Sequence, residues 1–207
     1  MTIATIVTFV AASLLLSFSP GPDILFVLTQ SATHGWRRGI VITAGLCSGL
    51  IVHTAAVALG VAIIFKQSEA AFTTLKLVGA AYLLYLAYGA LRAGATVVAT
   101  QGGKAEPYGK MFLRGVVMNV TNPKVALFFL AFLPQFTDAG QGSIEAQIVM
   151  LGALFMGSAF CAFSLTAILA GTVSERLLKS ERAQMILNRI AGAVFVGLAL
   201  KLALAER

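Results

Sequence analysis

Charge is what this sequence has least of. Of its 207 residues, 11% are Asp, Glu, Lys or Arg and 58% are hydrophobic, with a mean hydropathy of +0.90. A soluble domain carries about 25% charged residues, so this composition cannot cover a water-facing surface. Two cysteines exclude a disulfide-stapled secreted module, and the wealth of apolar residues excludes a disordered chain. No metal-ligand cluster or glycine-rich phosphate loop is present, so neither a metal nor a cofactor is expected. The net charge of +7 invites a nucleic-acid reading, but the basic residues lie between apolar runs instead of clustering with aromatics on a polar face. What remains is an integral membrane protein with the lipid bilayer as its solvent.

A helix crosses the hydrocarbon layer in about 20 mostly apolar residues. Six candidate spans follow: Ile3 to Ala32, broken by Pro20-Gly21-Pro22; Gly39 to Phe65; Ala71 to Leu91, with Lys76 near its start; Phe112 to Leu133, broken at Asn122-Pro123-Lys124; Ala146 to Val173; and Met185 to Ala205. Arg189 and Lys201 shorten the sixth, and both can snorkel to the interfaces. The amino terminus lacks the basic stretch of a secretory signal, so it reads as the first span. Arg37, Arg38, Arg92, Lys104, Lys110, Arg114, Arg176, Lys179, Arg182 and Arg189 all fall in or beside the first, third and fifth connections, whereas the fourth holds Asp138 and Glu145. Basic connections stay on the cytoplasmic side, which puts both termini outside.

The two halves of the chain resemble each other. Leu75-Lys76-Leu77-Val78-Gly79-Ala80-Ala81-Tyr82 in the third span matches Asn188-Arg189-Ile190-Ala191-Gly192-Ala193-Val194-Phe195 in the sixth at an offset of 113, and Pro22-Asp23 matches Pro123-Lys124 at 101. Three spans per repeat turn the second copy upside down, the plan of many secondary transporters. The expected fold is therefore all-α, one transmembrane domain over 1–207. Repeat 1 covers about 1–95, a cytoplasmic linker about 96–110 and repeat 2 about 111–207.

Proline inside a helix removes an amide donor and clashes with the preceding turn, and in lipid the freed groups must face protein or a wet cavity. In Ser19-Pro20-Gly21-Pro22-Asp23 a new half-helix can start at Pro22, leaving Asp23 in its first turn where the dipole favours an anion. That local role is one reading of Asp23. The other weighs the cost of a mid-membrane carboxylate, roughly 2.5–3.5 kcal/mol, which Ser or Asn would avoid as a cap. Asp23 and Lys124 are the only charges expected deep in spans and sit at equivalent places in the repeats. With Asn119 and Asn122 they are expected to line a substrate path, offering an anion site and a cation site to an amino-acid zwitterion.

At these residues the sequence resembles the LysE/RhtB family of bacterial amino-acid and homoserine exporters. Ser19 to Asp23, the glycine-spaced second span, Lys76 to Tyr88, Asn122-Pro-Lys-Val-Ala-Leu-Phe-Phe and Leu133-Pro134-Gln135-Phe136 carry the likeness, which covers essentially the whole chain. The resemblance implies a six-span inner-membrane exporter of amino acids or close derivatives such as threonine, homoserine, lysine or leucine, energised by protons. It carries over to Pro20, Gly21, Pro22 and Asp23 and to Asn122, Pro123 and Lys124. More distant relatives include metal exporters, which leaves a cation exporter as an alternative that Lys124 disfavours. They also include thiol-electron carriers, which need a cysteine in each broken helix, and Cys47 and Cys161 lie elsewhere.

Gly45 and Gly49 form a small-xxx-small stripe suited to helix packing, within the monomer or in a homodimer, and Gly79 and Gly192 are expected to pack likewise. His53, mid-span, is a candidate for interhelical hydrogen bonding or proton transfer. Ser48 and His53 suggest an intramembrane hydrolase, but five residues of helix separate them by about 140°, so they cannot face each other.

Overall fold

The structure, a computed structural model, describes residues 1–19, 21–67, 69–92, 106–172 and 181–204. Pro20, most of the linker (93–105), Arg176 and Lys179 lie outside the described residues, as do the side chains of Lys76 and Lys201. All regular structure among the described residues is helical: α1 Ile3–Phe18, α2 Pro22–His34, α3 Trp36–Gln67, α4 Glu69–Arg92, α5 Tyr108–Val120, α6 Pro123–Phe132, α7 Ile144–Thr172 and α8 Glu181–Ala203, with short 3-10 turns at Leu133–Phe136 and Ala139–Gln141.

The first and fourth expected spans each appear as two helices meeting at the proline break. The axes of α1 and α2 differ by 59° and those of α5 and the helical stretch Pro123–Phe136 by 51°. Proline stands at the start of both second halves. It has no amide to leave unpaired there, and its fixed dihedral suits the first turn.

Among the described residues, Trp36–Gly60 and Ile144–Gly171 are long and apolar enough to cross a membrane alone, and the two bent pairs raise the number to four. The third and sixth expected spans hold apolar stretches of lesser length, Leu77–Arg92 and Asn188–Leu200.

Packing is organised around α3 and α7, which lie against each other. Each also packs on the broken pair of the other half, α3 on α5 and α7 on α1 and α2, while α4 pairs with α8. The core is rich in aromatics, with Phe9, Phe128, Phe129 and Phe132 at 1% exposure or less. The small-residue stripe is occupied within the chain. A Cβ on Gly45 would land on the Phe112 carbonyl oxygen of α5, one on Gly49 would stand 2.8 Å from the Asn119 side chain, and one on Gly115 of α5 would stand 2.7 Å from the Ile42 carbonyl oxygen. Glycines on both helices let the backbones meet. Gly79 is buried on α4, and a Cβ on Gly192 of α8 would stand 2.5 Å from Leu91, so Gly192 provides close packing between α4 and α8.

At the end of the bundle where α3 and α5 begin, Arg38 donates to the Glu106 carbonyl oxygen (2.7 Å), and Lys110 and Arg114 pair with the Glu106 carboxylate at 3.3 and 3.7 Å. Arg38 and Arg114 also lie over Tyr108 and Phe26. These residues form an aromatic and basic rim like those that anchor membrane proteins at the headgroups.

Candidate functional site

The two breaks face each other. Gly21 precedes α2 with φ −178° and ψ 172°, extended backbone open to any residue. It lies against the lysine of the other break, since a Cβ there would stand in ordinary contact, 3.4 Å from the Lys124 Nζ. Asp23 occupies the first turn of α2 and is 6% exposed, so the carboxylate is held at the dipole end that favours it. At the other break Asn122 caps α6, its Oδ1 accepting from the Lys124 amide at 3.0 Å.

Lys124 begins in the first turn of α6, the wrong end of that helix for a cation. Its four-carbon stem carries the ammonium across to the end of α1, where Nζ donates to the carbonyl oxygens of Leu16 (3.3 Å) and Ser19 (3.1 Å). The Leu16 carbonyl also accepts the Ser19 amide that caps α1 (3.1 Å), and a cation at this carbonyl end of the helix complements its dipole, an effect worth about 0.3–2 kcal/mol. Each buried charge therefore has a helix end of opposite sign as its partner.

Asp23 also receives the Asn119 side-chain amide on Oδ2 at 3.3 Å, while its Oδ1 has no hydrogen-bond partner among the described residues. His53 completes the second layer: its Nε2 lies 3.1 Å from the Asn119 carbonyl oxygen, and the ring rests on Phe129 at 5.8 Å between centroids. A carbonyl partner requires that Nε2 carry the hydrogen. His53 and Lys124 are both within electrostatic reach of the Asp23 carboxylate.

Asp23, Asn119, Asn122, Lys124, Ser19 and Gly21 all line one cavity of about 30 Å³, walled on its apolar side by Phe155 and Phe163 of α7. It is of water size, too small for an amino acid. The charged groups are thus gathered around a space that holds no more than a water. His53 stands behind this cavity, reaching it through Asn119, and Pro22 and Pro123 are exposed at the helix starts.

The arrangement holds opposite charges and no assembled nucleophile among the described residues. Ser48 donates to the Ala44 carbonyl oxygen of its own helix (2.8 Å) while His53 turns to Asn119, so they form no nucleophile–base pair. Cys47 is buried with its thiol on the Met156 carbonyl oxygen, and Cys161 is exposed. Among the described residues no three His, Cys, Asp or Glu side chains gather as a metal site.

The LysE type translocator family matches residues 14–206. The chain belongs to this family. It is similar to the homoserine/homoserine lactone efflux protein of Salmonella typhimurium (strain LT2), with 32% identity over 188 residues covering 91% of this chain and 90% of the relative. The protein of the same description from Salmonella typhi matches to the same extent. No solved structure matches. As a LysE family member the protein is a transporter and not an enzyme, and a multi-pass membrane protein.

Sequence reasoning placed Asp23, Asn119, Asn122 and Lys124 at the breaks but missed the Leu16 and Ser19 carbonyls that hold the ammonium. Backbone acceptors leave no mark in a sequence. A usable signal existed in the proline break itself, since a helix that ends mid-membrane must expose carbonyls there.

Proposed function

We propose that this LysE family member exports amino acids or close derivatives, homoserine among them, across the bacterial inner membrane by proton antiport. The observation that carries the reading is that Asp23 and Lys124, from matched breaks about half a chain apart, line one enclosed cavity at two opposed helix starts. The ammonium of the substrate takes the Asp23 carboxylate, and its carboxylate takes Lys124 or the free amides of α6. Protonation of Asp23 from the outer side neutralises the ammonium site and releases the cargo.

Six spans arranged as two inverted three-span repeats, with both termini outside, fit this reading. The cross-packing of α3 and α7 on the opposite broken pairs supports it, as does the basic rim around Glu106. The names of the Salmonella relatives favour homoserine and its lactone as first substrates to try.

The experiment is efflux from cells loaded in turn with homoserine, homoserine lactone, threonine, lysine and leucine, comparing wild type with Asp23→Asn at equal membrane abundance. Export of at least one compound by wild type and its loss in Asp23→Asn are expected. Absence of accelerated efflux for the whole panel would remove the assignment, and wild-type export by Asp23→Asn would remove the role of Asp23.

A further inference from the structure

Lys124 and Ser19 line a second, larger cavity. It measures about 230 Å³ and is a cleft open on one side, lined by Tyr85, Gly89 and Ala90 on the last two turns of α4, with Tyr85 and Gly89 exposed, by Phe195 of α8, and by the two residues shared with the central cavity. The Lys124 ammonium lies 5.9 Å from the centroid of the Phe195 ring. One cation therefore forms the partition between a chamber of amino-acid size and a chamber of water size that holds Asp23.

The opposite approach to the centre is shut. A polar cavity of about 360 Å³ opens at the start of α1, among Thr5, Thr8, Gln135 and Asp138. Beneath it Phe9 packs edge-on to Phe136 (5.1 Å), and Phe136 on Phe132 (4.7 Å), all three at 3% exposure or less. Those rings seal that side, so the α4 chamber is the one separated from the centre by a polar group that can move. It lies toward the end of α4, where Arg92 stacks over Tyr88 and the chain enters the connection that returns at Glu106 in the basic rim.

We propose that the α4–α6–α8 chamber is a loading site for the zwitterion, with Lys124 as its gate, a step that rests on the export reading above. A substrate carboxylate arriving there meets the Lys124 ammonium, the only one lining the chamber among the described residues, and competes with the Leu16 and Ser19 carbonyls for it. A carboxylate makes stronger hydrogen bonds to a cation than a neutral carbonyl does, so the ammonium exchanges partners. That exchange releases the end of α1, loosens the break, and opens the way to Asp23. Tyr85 and Phe195 flank the side chain of the cargo, and Gly89 leaves it room, since a Cβ at Gly89 would meet nothing within 4 Å.

The test fills the chamber. Gly89→Leu is expected to cut efflux at least fivefold at equal membrane abundance, whereas Gly157→Leu, at an equally open position on α7, stays within twofold of wild type. Should Gly89→Leu fail to accumulate, Gly89→Cys in a Cys161→Ser background replaces it. A charged methanethiosulfonate should label that thiol, and whichever panel compound wild type exports should slow the labelling. Normal efflux by Gly89→Leu, or labelling indifferent to the exported compound, would overturn the loading site while wild-type export stands; a wild type that exports nothing is instead the failure of the export reading.

Discussion

Gly49→Ala tests whether the α3–α5 contact organises the charged cavity. The new Cβ would stand 2.8 Å from both Cβ and Oδ1 of Asn119, about 0.6 Å inside ordinary contact. The clash with Asn119 Cβ, an atom fixed to the backbone of α5, cannot be relieved by a rotamer change alone, and the clash with Oδ1 turns the amide. The bond from that amide to Asp23 is 3.3 Å long, near the limit at which a hydrogen bond survives misalignment. A hydrogen bond to a charged group contributes about 1.5–3 kcal/mol, and each 1.4 kcal/mol is about tenfold in rate. Efflux per molecule should therefore fall at least about tenfold. The assay is initial efflux from loaded cells, scaled to membrane abundance, in a cycle with Asn119→Gly. Removing the Asn119 side chain leaves the new methyl nothing to displace, so the double variant should be no worse than Asn119→Gly alone. Effects that multiply to within about 0.5 kcal/mol of additivity would refute the coupling.

Gly45→Ala should destabilise the protein by about 1–2 kcal/mol in detergent unfolding, because its methyl meets the Phe112 carbonyl and overpacking outweighs the gain in helix propensity. The same change at Gly157, in open space, should be neutral or stabilising by up to about 1 kcal/mol; equal melting shifts for the two would contradict the packing assigned here. Lys124→Met should abolish efflux and take the ammonium away from the Leu16 and Ser19 carbonyls, while Lys124→Arg keeps measurable efflux; equal rates for Met and Arg would deny the ammonium a role. His53→Phe preserves a ring against Phe129 but loses the bond to Asn119, an expected two- to tenfold drop in efflux from about 0.5–1.5 kcal/mol, and His53→Gln, which can donate, should restore part of it.

The chain itself determined the solvent, the helical class and the positions of the breaks. An 11% charge fraction forces a membrane environment, and there the backbone has few options besides helix. Pro22 and Pro123 have fixed dihedrals and no amide, so they start half-helices wherever the fold places them. The two mid-span charges stood out because lipid makes such residues costly. The structure decided how these pieces meet. Local signals did not tell whether the Gly45/Gly49 stripe faced a second copy or its own chain, and α5 occupies it. Nor could they say what the Lys124 ammonium holds, because its partners are main-chain oxygens of α1, more than 100 residues away in the chain. The second chamber was equally out of reach: Phe195 belongs to the internal match and Tyr85 to the stretch that carries the family likeness, but only the packing of α4 on α8 gathers them with Gly89 around Lys124. Composition and proline act locally and can be read along the chain, whereas closeness across helices depends on shapes that exist only once the helices pack.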